Sequence, residues 1–185
     1  MLTLNSIAEM RRAKETAEFF DALPSEEQAE WLEELQNRMS VPDEEEQAAH
    51  VCLLDTGVNR GHPLIKTGLA AADMHSVEPG WGTDDTDGHG TEMAGLALIG
   101  NLTEALESQD TFRIRHRLES VKLLSHKSTN SGDARHHGYL TVEAVARPEI
   151  IAPQRRRVFS MAVTCLLYTS PSPRDRTRSR MPSSA

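Results

Sequence analysis

The unbroken apolar run Val51-Cys-Leu-Leu54, ending in Asp55-Thr-Gly57, limits the folds open to this chain more than any other feature. A run without polar alternation predicts a strand buried on both faces, as in a parallel sheet. The glycine lets the backbone turn away without covering the carboxylate. His89 follows Asp55 by 34 residues, inside a second turn, Asp87-Gly-His89-Gly90. That turn opens Thr91–Ile99, rich in Ala and Leu, which reads as a buried helix ended by Gly100.

The rest of the chain fits the same layering. Val121–Leu124 and Val158–Val163 read as further buried strands, His126–Gly138 as a polar loop, and Leu140–Ala146 as a helix stopped by Pro148. Strands alternating with helices predict an α/β fold with a mostly parallel sheet.

Asp55 and His89 are the candidate catalytic residues. A serine hydroxyl is a weak nucleophile at neutral pH. It needs a base to take its proton, and the base needs an anion to fix its tautomer. A shielded Asp at a strand end and an outward His at a helix start meet those needs. The helix N-terminus is expected to lower the His pKa.

The two motifs, Asp55-Thr-Gly57 and His89-Gly-Thr-Glu-Met-Ala-Gly95, resemble those of the subtilisin-like serine proteases, in the order Asp, His, Ser. His62-Pro63, Val121-Lys-Leu-Leu124 and Val158-Phe-Ser-Met-Ala-Val-Thr164 also sit where that family has similar pieces. The resemblance covers residues 48–164. It implies a partial subtilisin-like, doubly wound parallel sheet preceded by a helical extension, and peptide-bond hydrolysis of a polypeptide substrate. It also implies that Ala162, Val163 and Thr164 border the specificity pocket. Leu64-Ile65 replaces the Asp that often follows His-Pro, so the associated calcium site is not expected, and the chemistry requires no cofactor.

The family's oxyanion Asn and its Gly-Thr-Ser-Met-Ala nucleophile element do not occur in this sequence. Ser160 falls in a strand, and Ser170 precedes Pro171 without a glycine before it; neither is nominated. The expectation is a serine-type endopeptidase for a longer protein, with the 185-residue chain inactive and marginally folded. A non-catalytic binding fragment is the alternative. Leu53-Leu-Asp-Thr-Gly57 also resembles retroviral-type aspartic proteases, a reading that requires an all-β fold and leaves His89 unexplained.

Three regions are expected: an acidic helical extension (1–46), the partial catalytic domain (47–164) and a tail (165–185). The extension carries a net charge of −9 over residues 1–50, with apolar stripes Ile7, Met10, Ala13, Ala17, Phe20 and Trp31, Leu32, Leu35, Met39. Ser25-Glu-Glu-Gln28 has the pattern of a capping box. The extension reads either as a helical pair packed on its own domain or as an interaction hairpin. The tail is Ser/Pro/Arg-rich, is expected to be disordered, and resembles a translated cloning adapter.

A net charge of −8 argues against nucleic-acid binding. No apolar run approaches the length of a membrane span, and no signal peptide is evident, so a cytoplasmic location is expected. The sequence does not fix an oligomeric state. Asp84, Asp85 and Asp87 read either as an acidic groove wall favouring basic substrate residues or as a solvated loop. His126, His136 and His137 lack metal-ligand spacing, Arg155–Arg157 reads as a solvated turn, and Cys52 as a small buried hydrophobe.

Overall fold

The computed structural model describes residues 17–43, 48–125 and 134–162, with backbone alone at 134–137. Four strands form one sheet, β2 (Ala49–Asp55), β3 (Leu69–Ser76), β5 (His116–Lys122) and β6 (Arg157–Ser160), in the order β3-β5-β2-β6. All its pairings are parallel, with Asp55 opposite Lys122 and Leu53 opposite Ser160. Parallel neighbours require crossovers, which helices supply here.

Alternation along β2 divides the core. Leu53 faces α3 (Pro63–Gly68) and α4 (His89–Ile99), in a cluster with Val58, Ile65, Leu69, Ala94, Leu98 and Leu118. Cys52 and Leu54 face the other way, toward α6 (Ala134–Ile151), with Val77, Val121, Leu123 and Ala144. Helices on both faces make the sheet doubly wound, as expected. Asp55 shares the parity of Leu53 and lies on the α4 face, at the end of its strand.

The extension contributes α1 (Ala17–Asp21) and α2 (Ser25–Arg38), then β1 (Met39–Ser40), which pairs in parallel with β4 (Phe112–Arg113). Leu35, fully buried, packs with Leu64 of α3 and with Ala105 and Leu106 of α5 (Leu102–Glu107). Arg38 donates to the carbonyls of Ala105 (3.0 Å) and Asp110 (2.9 Å). The described part of the extension is therefore packed on the α3–α5 side of the molecule.

The capping box does not form. Pro24 is the N-cap and gives no side-chain bond. Gln28 instead donates to the carbonyls of Phe20 (3.2 Å) and Leu23 (3.0 Å), at and just past the end of α1. Pro148 does not stop α6, which runs three residues past it. Pro148 removes one i→i−4 bond from the last turn, while its own carbonyl accepts from Ala152 (2.9 Å) and Arg157 (3.2 Å). Residues 134–138, expected as loop, begin α6.

Candidate active site

The site forms where β2 ends and α4 begins. Gly57 has φ +99°, and a Cβ there would lie 2.5 Å from the Thr83 carbonyl oxygen. A Cβ at Gly90 would lie 2.0 Å from the Gly57 carbonyl oxygen. Both positions must be glycine for the two turns to touch. Their contact brings together residues that nothing local in the sequence joins.

The His89 Nδ1–H donates to Asp55 Oδ1 at 2.8 Å. The Asp55 side chain is 3% exposed and that of His89 41%. Asp55 Oδ1 also accepts from the Thr56 amide at 2.8 Å. With Nδ1 occupied, Nε2 is the nitrogen left to exchange protons with a substrate or nucleophile. The hydrogen bond to Asp55, together with its charge, raises the His89 pKa above 6.5. The expected lowering by the helix N-terminus is overturned, because a carboxylate in direct contact outweighs a distributed partial charge.

Asp85 is the residue that sequence reasoning missed. It is half-buried, not a solvated loop side chain. Its Oδ1 accepts from Thr56 Oγ1 (2.9 Å) and the amides of Asp87 (2.9 Å) and Gly88 (3.0 Å). Its Oδ2 accepts from the Thr91 amide (2.8 Å) and hydroxyl (2.7 Å). Burial pushes its pKa up, but these bonds outweigh burial and hold it below the usual value. Thr56 Oγ1 in turn accepts from the Gly90 amide at 3.0 Å and lies 3.3 Å from Asp55 Oδ1. The one sequence signal was the crowding of three Asp residues before His89. Asp84 is exposed, and its carbonyl accepts from the buried Lys122 ammonium at 2.5 Å.

A family model for the subtilase family (Peptidase S8) matches residues 46–184. The chain belongs to the subtilase family. No curated protein and no solved structure matches the chain. The subtilase match runs through the adapter-like tail as far as residue 184. Of the expected subtilase pocket residues, Ala162 lies two residues past Ser160, at the end of the sheet that carries Asp55. Val163 and Thr164 lie outside the described residues, as do His126, Ser170 and the tail.

Among the described residues, no group of three or more His, Cys, Asp or Glu is arranged to hold a metal ion, and no helix is long and apolar enough to cross a membrane. A cleft of about 750 Å³, lined by Arg113, Arg115 and Arg156, opens at the N-terminal ends of the strands, opposite the Asp55–His89 pair.

Proposed function

We propose that Asp55 and His89 are two members of a serine-peptidase triad, whose serine comes from sequence beyond these 185 residues. The observation carrying this is the 2.8 Å bond from His89 Nδ1 to a nearly fully buried carboxylate. Asp55 holds the ring in the tautomer that leaves Nε2 able to accept a proton. His89 then takes the serine proton during attack on the peptide carbonyl, and returns it to the leaving amine. The raised pKa makes the protonated ring a better-held intermediate. Ala162, Val163 and Thr164 border the substrate pocket in this reading. The 185-residue chain alone is inactive, because it lacks the nucleophile and the oxyanion Asn. The aspartic-protease reading finds no support in a parallel sheet with helices on both faces.

The test is labelling with a fluorophosphonate, which reacts with an activated serine. The 185-residue chain should not label. A form whose reading frame continues past Thr164 into a Gly-x-Ser element should label and cleave peptides. Asp55→Asn in that form should cut kcat about 10⁴-fold, the loss typical of removing the orienting carboxylate. Labelling of the 185-residue chain would overturn the missing nucleophile. A longer form that neither labels nor cleaves would overturn the peptidase reading and favour a binding module.

A further inference from the structure

We propose that Asp85 is a positioning residue for the Asp55–His89 pair, acting through the Thr56 hydroxyl. This rests on the reading of that pair as catalytic.

Asp85 divides its two oxygens between two tasks. Oδ2 serves the first turn of α4 through both Thr91 donors. Oδ1 accepts from Thr56 Oγ1 and from the amides leading into His89. A hydroxyl has one proton to give and lone pairs to receive. By taking that proton, Oδ1 leaves the Thr56 oxygen free to accept the Gly90 amide at 3.0 Å. Thr56 follows Asp55 and Gly90 follows His89, so this one hydroxyl ties the backbones beside both members of the pair. Without Asp85, the Thr56 proton is free to turn toward Asp55 Oδ1, 3.3 Å away, where it competes with His89 for the same oxygen. The carboxylate therefore does more than cap a helix. It sets the direction of a hydroxyl next to the oxygen that orients the ring.

The test separates the two oxygens, and its readout is on His89 itself. NMR of the 185-residue chain follows the His89 Nδ1 proton and the pH titration of its ring. The charged groups that bear on the ring are Asp55 on β2, Asp85 in the turn and Glu92 on α4. Asp85→Ala should broaden or abolish the Nδ1 proton signal and bring the titration down toward 6.5. Thr91→Val removes one donor to Oδ2 and the acceptor of the Asn59 amide, and leaves Oδ1 and Thr56 as they are. It should lower the melting temperature and leave both His89 signals in place. If Thr91→Val disturbs His89 as much as Asp85→Ala, Asp85 is a helix cap and the proposal fails.

Should Asp85→Ala not fold, Asp85→Asn and Thr56→Val are compared singly and together. Effects on the His89 titration that are not additive support action through Thr56, and additive effects overturn it. In a peptidase-active longer form, Asp85→Ala should lower kcat by about 10²-fold with KM little changed, the scale expected of misplacing a catalytic group. Failure of the longer form to cleave peptides, with His89 still responding to Asp85, would end the peptidase reading and leave Asp85 as a positioning group for the His89 ring alone.

Discussion

Two buried carboxylates lie on adjacent strands of one sheet and are held in opposite ways. Asp55, at the end of β2, faces one titratable ring that is open to solvent. Glu119, in the middle of β5, is enclosed by two guanidinium groups. Arg157 gives it two hydrogen bonds (2.8 and 3.0 Å) and Arg155 a third (2.9 Å). Arg155 also bonds Asp73, and Arg157 bonds Glu149 at 2.7 Å. The Arg157 and Glu119 side chains are 2% and 1% exposed. The Glu119 cluster joins β3, β5, β6 and α6 with charges that do not change near neutrality, because an arginine does not give up its proton there. The Asp55 pair is built around a proton that can leave. One sheet thus carries a fixed charge cluster on its α6 face and a variable one on its α4 face.

Removing one partner from the fixed cluster should have the largest effect. Glu119→Ala leaves the buried Arg157 and the one-third-exposed Arg155 without their shared anion and should cost about 3–5 kcal/mol, read by urea unfolding. A loss below about 1 kcal/mol would show that water reaches the cluster and that it is not fixed. On the variable side, Gly90→Ala pushes a Cβ into the Gly57 carbonyl. It should cost about 1–3 kcal/mol by overpacking and abolish the His89 Nδ1 proton signal. Gly95→Ala, with nothing within 4 Å of its Cβ, should instead stabilise α4 by about 0.5–1 kcal/mol.

Acidity separates the two clusters by sign. The His89 pKa is raised in the fold, so its contribution to stability is complete below 6.5 and fades as pH rises through the folded-state value above that. For Glu119, burial pushes the pKa up, but hydrogen bonds from Arg157 and Arg155 bring it below 4.5. Its contribution is complete above 4.5 and is lost as pH falls through the lower folded-state value. Asp55→Asn should flatten the neutral slope of stability against pH. A fall of stability with rising pH that survives Asp55→Asn would overturn its assignment to this pair, because burial lowers the pKa values of His50, His62 and His75 and gives them a slope of the opposite sign. The smallest effect is expected at the surface pair Arg147–Glu143, 3.5 Å apart and more than a third exposed on both sides. Glu143→Ala should cost at most about 0.5 kcal/mol. A larger loss would mean that burial is not what distinguishes the Glu119 cluster.

The same contrast explains what the sequence made legible. β2 stood out because Val51–Leu54 is apolar throughout, and α4 because Gly88 and Gly100 bracket it. The Asp55–His89 pairing was readable because each half has its own motif. β5 was placed at Val121–Leu124, but it spans His116–Lys122. Its buried Arg117 and Glu119 fell outside the expected strand, because charged residues whose partners are remote in sequence interrupt the apolar pattern. β3 was not foreseen: Leu-Ala-Ala-Ala-Asp-Met-His-Ser has neither alternation nor a β-branched run, and its pairing with β5 is irregular between Leu69 and Met74. Arg155 and Arg157 were read as a solvated turn for the same reason that β5 was misplaced. Cys52 behaves as expected, fully buried with burial pushing its thiol up to about 12. Asp85 could be seen but not interpreted, since its partners lie in two turns that meet only in the fold.

The meeting of Gly57 and Gly90 also bears on when the Asp55–His89 hydrogen bond can form. β3 lies between the two turns in the chain, so no local segment contains both Asp55 and His89. A nascent chain with β2 formed and α4 undocked holds neither a shielded carboxylate nor an oriented ring. Local opening of α4 from the finished fold disarms the pair in the same way. The His89–Asp55 bond therefore reports complete docking of this helix, and forms with α4 undocked cannot make it.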